Sequence, residues 1–272
     1  MALKRTRNSG APLGRHTGSM MRATFPLDPT SAFRASMPDR YRLAFDDAAV
    51  REHAAIVARR GTLEPRTAHL EIWRQLPKGI GALCVVADDR PGLLSFICAS
   101  LVLQKMDVLS AQAYTRLLPE GGGEAVDFLW IRRDADADHA MPVLEADVAR
   151  ISQVLGQLIT GELSIESAAE RARFSRKVPP GASTTVNFDE DDDEGLVVLT
   201  VETFDRPGLL LAITMALFRA NVQIIASDAL TRAGRVVDRF SLVELDGSPI
   251  RRARRGVVQI EVLEAIHALS RP

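Results

Sequence analysis

Hydrophobic and polar residues follow the same pattern twice along this chain. Each copy opens with an apolar run rich in β-branched residues, at positions 83–86 and again at 196–201, which predicts a buried strand. Apolar residues then recur at helical spacing, as Leu94, Ile97 and Leu101 do in the first copy. Two more strand-like segments and a closing amphipathic helix complete each copy. The pattern therefore predicts two repeated units that combine helices with strands.

The junction between the first strand and the first helix has the same six residues, Asp-Arg-Pro-Gly-Leu-Leu, in both copies. They occupy positions 89–94 and 205–210, which differ by 116 residues. A Val-Asp pair further along, at 126–127 and 237–238, repeats with an offset of 111 because the first copy has five extra residues in a glycine-rich loop. The sequence therefore indicates one duplicated unit whose hairpin loop varies in length.

A proline and a glycine stand at the centre of each junction, called the first and second corner below. Pro91 and Pro207 suit the first helical position, because a missing N–H costs nothing there. Gly92 and Gly208 then leave the start of the helix bare, so unpaired amides would attract an anion such as a ligand carboxylate. A structural interpretation stays open beside this one: each aspartate caps its helix and each glycine allows close packing.

A short strand-like segment precedes each unit, at 69–73 and 184–188. After it, each unit has the order strand, helix, strand, strand, helix, which makes a ferredoxin-like sandwich with two helices on one face of an antiparallel sheet. We therefore predict an α+β fold. The preceding strand must complete a sheet, either beside the first strand of its own unit or in the unit before it.

Composition and charge divide the chain further. The first 40 residues carry a net charge of +5 and lack apolar periodicity, which predicts a disordered tail. The remaining chain is mildly acidic, so we expect no nucleic-acid partner. The predicted divisions are a disordered basic tail at 1–43, a helix with a lead-in strand at 44–80, a first unit at 81–162, a linker with a lead-in strand at 163–195 and a second unit at 196–272.

The sequence favours neither a membrane span nor a metal site. No apolar stretch approaches the roughly 18 residues that a span needs, and no signal peptide is evident, so we expect a cytoplasmic protein. Cys84 and Cys98 fall on a predicted strand and helix, where buried free thiols are expected. Three aspartates within 134–138 resemble a calcium loop, but His139 stands where that loop requires glycine. We expect no metal and no cofactor.

The repeated corner and the Val-Asp pair that opens the third core strand resemble those of ACT domains. Their tandem order over residues 44–272 resembles the regulatory region of the bacterial protein-PII uridylyltransferase/uridylyl-removing enzymes. This resemblance implies ACT-type βαββα units that bind an amino acid, glutamine in that family. The sequence has neither the nucleotidyltransferase motif nor the His-Asp metal motif of those enzymes, and no P-loop, so we expect no catalysis.

The resemblance implies a ligand held between adjacent units at both corners. The glycine amides would face its carboxylate and the corner aspartate its ammonium group, while Asp107 and Gln223 would lie across the site. Asp107 beside Asp89 would give the first corner two carboxylates, so the second corner, with Asp205 and Gln223, would bind a neutral amino acid more tightly. The expected ligand-binding residues are Asp89, Arg90, Gly92, Leu93, Asp107, Asp205, Arg206, Gly208, Leu209 and Gln223.

Three functions fit these observations. The first is a non-catalytic regulatory protein that binds a small amino acid and reports nitrogen status. The second is a regulatory subunit or remnant of a protein-PII uridylyltransferase that acts with a separate catalytic chain. The third is a structural interaction module whose sites are degenerate. The expected partners are an amino acid and a catalytic or signalling protein, with the units paired within the chain or in a homodimer.

Overall fold

The computed structural model describes residues 28–61, 67–119, 121–133, 141–171, 183–190 and 196–269. Within these ranges the strands are β1 (His69–Leu76), β2 (Ile80–Asp88), β3 (Met106–Leu117), β4 (Gly123–Arg133), β5 (Thr185–Glu190), β6 (Val197–Phe204), β7 (Val222–Arg232) and β8 (Arg235–Glu244). The helices are α1 (Pro29–Ser36), α2 (Asp39–Ala44), α3 (Asp47–Arg60), α4 (Leu93–Leu103), α5 (Glu145–Thr160), α6 (Ile165–Arg171), α7 (Leu209–Arg219) and α8 (Arg252–Ala268).

These strands form one antiparallel sheet in the order β1-β2-β4-β3-β7-β8-β6-β5. The two units meet where β3 pairs with β7, and Gln112 lies opposite Asp228 at the middle of that pairing. Because Gln112 and Asp228 are also equivalent positions in the repeat, a pseudo-two-fold axis passes between them. The units are thus related as the two halves of a symmetric dimer would be.

Each lead-in strand lies beside the first core strand of its own unit, since β1 pairs with β2 and β5 pairs with β6. Of the two placements that the sequence leaves open, the first is therefore confirmed. Helices α4 and α5 cover one face of the first unit, α7 and α8 cover the same face of the second, and α4 packs against α7. The result is a pair of permuted ferredoxin-like sandwiches, which confirms the predicted α+β fold.

The core of the first unit lies on both faces of its sheet. Strand alternation directs Leu83 and Val85 towards α4 and α5, whereas Cys84 and Val86 face the opposite side of the sheet. All four side chains are buried. This explains why the sequence of β2 is a continuous apolar run without polar alternation. Both cysteines are buried free thiols, as the sequence predicts.

Helices α1, α2 and α3 cover the face of the first unit opposite α4 and α5. The prediction of a disordered tail is therefore wrong for residues 29–43; residues 1–27 lie outside the described ranges. Phe33, Met37 and Tyr41 recur every fourth residue and pack in one buried cluster with strand residues of β2, β3 and β4. Phe33 lies on α1, Tyr41 on α2 and Met37 between the two helices, so the same sheet face receives all three side chains.

Buried polar contacts fix this helical layer. The Tyr41 hydroxyl lies 2.8 Å from Nδ1 of His53, and burial lowers the pKa of His53 to about 3. Arg60 Nη1 donates to Glu124 Oε1 over 2.6 Å, and the same guanidinium pairs with Asp88. Because an ion pair removed from water needs close partners, these contacts specify where α3 lies on the sheet.

The predicted linker contains a helix within its described part. Ile165 and Ala168 of α6 are buried in the core cluster that also includes α4 and α7. Across the described residues, no helix has the length and apolar character needed to cross a lipid bilayer.

Candidate ligand site at the boundary between the units

Both corners form a tight β-turn. The Leu93 amide donates to the carbonyl of Arg90 over 3.2 Å, and the equivalent bond in the second unit is 3.1 Å. The third turn residue is glycine in the left-handed region, with φ 80° at Gly92 and φ 76° at Gly208. These values define a type II turn, in which a residue with a side chain would be strained at that position.

The helices consequently begin later than the sequence predicts. Pro91 and Pro207 lie in the turns and not at the first helical position, because α4 begins at Leu93 and α7 at Leu209. The alternative in which each aspartate caps its helix is also wrong, since the glycines are the capping residues and no side chain caps either helix. Proline suits the second turn position because its fixed φ matches that conformation.

Side chains of the second unit fill the first corner. The Asp89 carboxylate accepts a hydrogen bond from Thr115 Oγ1 at 3.1 Å and from the Gln223 amide nitrogen at 3.4 Å. The ring of Phe218 lies against Gly92, so closely that a Cβ atom at Gly92 would be 2.8 Å from it. The cavity that remains beside this corner is about 30 Å³. It has about a third of the volume of the cavity at the second corner.

The second corner borders a larger cavity, of about 100 Å³, at the boundary between the units. The residues that line it include Val102, Lys105, Asp107 and Arg132 of the first unit and Asp205, Arg206, Gly208 and Asp238 of the second. Arg132 donates to one carboxylate oxygen of Asp107 through Nη2 at 2.8 Å and Nε at 3.1 Å. Positive and negative groups therefore stand side by side in this wall.

The predicted pairing of strand residues with corners is wrong. Gln223 lies at the first corner with Asp89, and Asp107 lines the second corner's cavity with Asp205. The pseudo-two-fold axis is the reason, because antiparallel pairing of β3 with β7 brings the start of each strand beside the corner of the other unit. The carboxylate pair expected at the first corner therefore does not form.

A buried aspartate that the sequence analysis missed lies on the third core strand of each unit. Asp127 is 4% exposed and Asp238 2% exposed, and they line the first and second corner cavities respectively. Burial raises the pKa of both carboxyl groups to about 8, and the charge of the nearby corner aspartate acts in the same direction. The signal was present in the Val-Asp pair at 126–127 and 237–238, which indicated the repeat and the family resemblance but not a buried acid.

The remaining predicted ligand-binding residues differ in what they contact. Leu93 and Leu209 are buried and line the cavities through apolar surface. Arg206 is buried and donates to Thr203 Oγ1 at 2.7 Å, and burial lowers its pKa. Arg90 has its Nη2 4.0 Å from a carboxylate oxygen of Asp88. The structure thus brings the second-corner residues to one cavity together with Asp107, whereas the first-corner residues meet the filled corner.

Metal binding has no support within the described ranges. No group of three or more His, Cys, Asp or Glu side chains there is placed to hold an ion. The calcium-like pattern at residues 134–138 lies outside the residues that the structure describes.

The fold and the cavity define a tandem pair of ferredoxin-like units joined edge to edge, with a polar cavity at their boundary. No family model matches the chain. It is similar to the bifunctional uridylyltransferase/uridylyl-removing enzyme of Rhodospirillum rubrum, at 30% identity over 233 residues, which cover 83% of this chain and 24% of that enzyme. The enzyme of the same name from Ruegeria pomeroyi is 30% identical over 166 residues, covering 60% and 17%.

A third such enzyme, from Gluconobacter oxydans, is 30% identical over 189 residues, covering 65% of this chain and 19% of the relative. These findings confirm the resemblance to uridylyltransferase/uridylyl-removing enzymes. The chain spans about a quarter or less of the length of these curated relatives. It is therefore similar to one part of much longer enzymes.

Proposed function

We propose that this chain is a non-catalytic regulatory protein that binds a small amino acid, glutamine in particular, and senses nitrogen status. The observation that carries the proposal is the cavity of about 100 Å³ at the second corner. The Asp107–Arg132 ion pair of one unit and Asp205 of the other line the same space. An amino acid presents one carboxylate and one ammonium group, so a wall with both charges suits it.

The position of the cavity supports a regulatory role. Its lining residues come from both units, so a ligand in it would contact both sides of their boundary. A ligand that binds one arrangement of the units more tightly than others shifts the population towards that arrangement. Amino acid binding at this place would thus be transmitted as a change in how the two units are held together.

The similarity to uridylyltransferase/uridylyl-removing enzymes supports the nitrogen-sensing context and favours a second candidate. The matched region is at most a quarter of each relative, and the chain's sequence has no nucleotidyltransferase motif. In this second candidate the chain is a regulatory subunit that acts with a separate catalytic chain. Both candidates require an amino acid at the second corner.

The proposal is tested by thermal shift and titration calorimetry with each of the twenty amino acids. A cognate amino acid at about 100 times its Kd should stabilise the fold by about 2.7 kcal/mol. Arg132→Gln, which breaks the ion pair in the cavity wall, should weaken binding at least about tenfold, because a charge-assisted contact is worth roughly 1.5–3 kcal/mol. Arg239→Gln is the matched control, since Arg239 is an exposed arginine on β8.

A flat response to all twenty amino acids at millimolar concentration would contradict ligand binding and leave the structural interaction module. The non-catalytic role has its own test, in which the purified chain is incubated with PII protein, UTP and magnesium. We expect no uridylyl transfer. Transfer by a preparation free of host enzyme would overturn that part of the proposal.

A further inference from the structure

The two corners share a sequence but not their surroundings. Phe218 at the end of α7 is equivalent in the repeat to Val102 at the end of α4. Phe96, in the first turn of α4, is equivalent to Ala212 in α7. Each pair thus contains one phenylalanine. Phe96 and Phe218 both lie at the first corner, where their rings meet edge to face with centroids 6.0 Å apart.

Phe218 occupies the space that the repeat leaves open at the second corner. Three of its ring carbons would lie 2.8–3.1 Å from a Cβ atom built on Gly92, so the ring rests directly on the turn glycine. At the second corner, the smaller Val102 lines the cavity instead. The cavities of about 30 Å³ and about 100 Å³ follow this difference in side-chain size.

The Asp89 carboxylate of the first corner also has hydrogen-bond partners within the protein. Asp89 accepts from Thr115 of its own unit and from the Gln223 amide of the other. A ligand ammonium group would have to displace these donors as well as the Phe218 ring. Displacing protein hydrogen bonds without regaining them lowers affinity.

We infer that each chain binds one ligand, at the second corner, and that Phe218 closes the first corner in place of a second ligand. This inference rests on the proposed amino acid binding. The boundary between the units then has one corner that is closed and one corner that binds the ligand. Phe218 and Val102 then decide whether each corner has room for a ligand.

A reciprocal exchange of the two side chains tests the inference. Phe218→Val copies the open corner into the closed one, and Val102→Phe copies the closed corner into the open one. Titration calorimetry with L-glutamine, run beside the other nineteen amino acids, should give one site per chain for the natural protein. Phe218→Val should add a second site, weaker than the first because Thr115 and Gln223 still donate to Asp89. Val102→Phe should lower the affinity of the natural site by at least tenfold. Circular dichroism and thermal melting establish that each variant is folded.

The outcomes separate this inference from the function it rests on. Two sites in the natural protein, or one site in a folded Phe218→Val variant, would overturn the inference while amino acid binding stands. Unchanged affinity in folded Val102→Phe would do the same. Should Val102→Phe fail to fold, Val102→Leu adds less volume and should still weaken binding measurably. Absence of heat from every amino acid with every variant would remove both the proposed function and the inference.

Discussion

The two corners of this protein have the same six residues, the same turn and the same buried aspartate, yet one is filled and the other borders a cavity. The turns match closely, with φ 80° at Gly92 and 76° at Gly208. What differs are the residues that the opposite unit brings to each turn, Phe218 and Gln223 at the first corner and Val102 and Asp107 at the second. A repeated motif thus specifies a turn, whereas its neighbours decide how large a cavity lies beside it.

The pseudo-two-fold arrangement explains why the neighbour belongs to the other unit. Antiparallel pairing of β3 with β7 places the start of β7 beside the first corner and the start of β3 beside the second. A substitution in one unit therefore alters the binding surface at the corner of the other. The predictions below separate what the corners share from what distinguishes them.

The largest expected effect concerns the buried acids that both corners share. Asp127 and Asp238 have a pKa raised by burial to about 8 from an ordinary value of 3.8. The unfolded chain releases these protons near about pH 4 and the folded chain keeps them to about pH 8, so their contribution to stability is complete at low pH and is lost as the pH rises. Asp127→Asn or Asp238→Asn should remove this loss.

Denaturant unfolding across pH 4–8 measures this loss of stability with rising pH. Each variant should be more stable than the natural protein at pH 8, by on the order of a few kcal/mol, and the gain should shrink towards pH 4. Glu264→Gln, at an exposed position on α8, is the control. A gain that does not change with pH in either variant would show that these carboxyl groups are ionised in the folded state.

An intermediate effect is expected where the first corner is filled. Gly92→Ala must adopt a positive φ and also displace the Phe218 ring, whereas Gly161→Ala has nearly the same φ, 79°, with no atom within 4 Å of the new Cβ. Both variants lose stability through backbone strain. Overpacking against Phe218 lowers the stability of Gly92→Ala by about 1–3 kcal/mol more. Chemical denaturation of the two variants measures the difference. Equal costs would show that Phe218 does not rest on this turn.

Much of the fold, but not all of it, could be predicted from the sequence alone. Hydrophobic periodicity and the offset of 116 residues predict the α+β units and the lead-in strands, because burial against a sheet or helix leaves a regular pattern. Helices α1 and α2 were missed since only Phe33, Met37 and Tyr41 mark them within a basic segment. These two helices pack on a sheet face formed by strands far along the chain, which no local sequence pattern reveals.

The candidate site was predictable in part. Repetition of a charged turn indicated the two corners, and the family resemblance implied ten ligand-binding residues in and around them. Of these, Asp205, Arg206, Gly208 and Leu209 do line one cavity. The exchange of Asp107 and Gln223 between corners followed from strand direction at the unit boundary, which the sequence does not encode locally. Asp127 and Asp238 were missed because the sequence alone does not show how deeply these two carboxyl groups are buried.

The smallest effect is expected at Gln223. Its amide reaches Asp89 over a long 3.4 Å hydrogen bond, so Gln223→Leu should cost about 1 kcal/mol or less in stability. It should also leave amino acid affinity unchanged, because Gln223 lies at the filled corner. Calorimetric titration of this variant beside Arg132→Gln compares the corners directly. A tenfold loss of affinity in Gln223→Leu would place a working site at the first corner.

A crystal structure of the chain grown with saturating L-glutamine tests the central claim most directly. We predict one amino acid at the second corner, between Asp205 and the Asp107–Arg132 pair, with the Phe218 ring still resting on Gly92. Ligand density at the first corner with Phe218 displaced, or at both corners alike, would contradict the account.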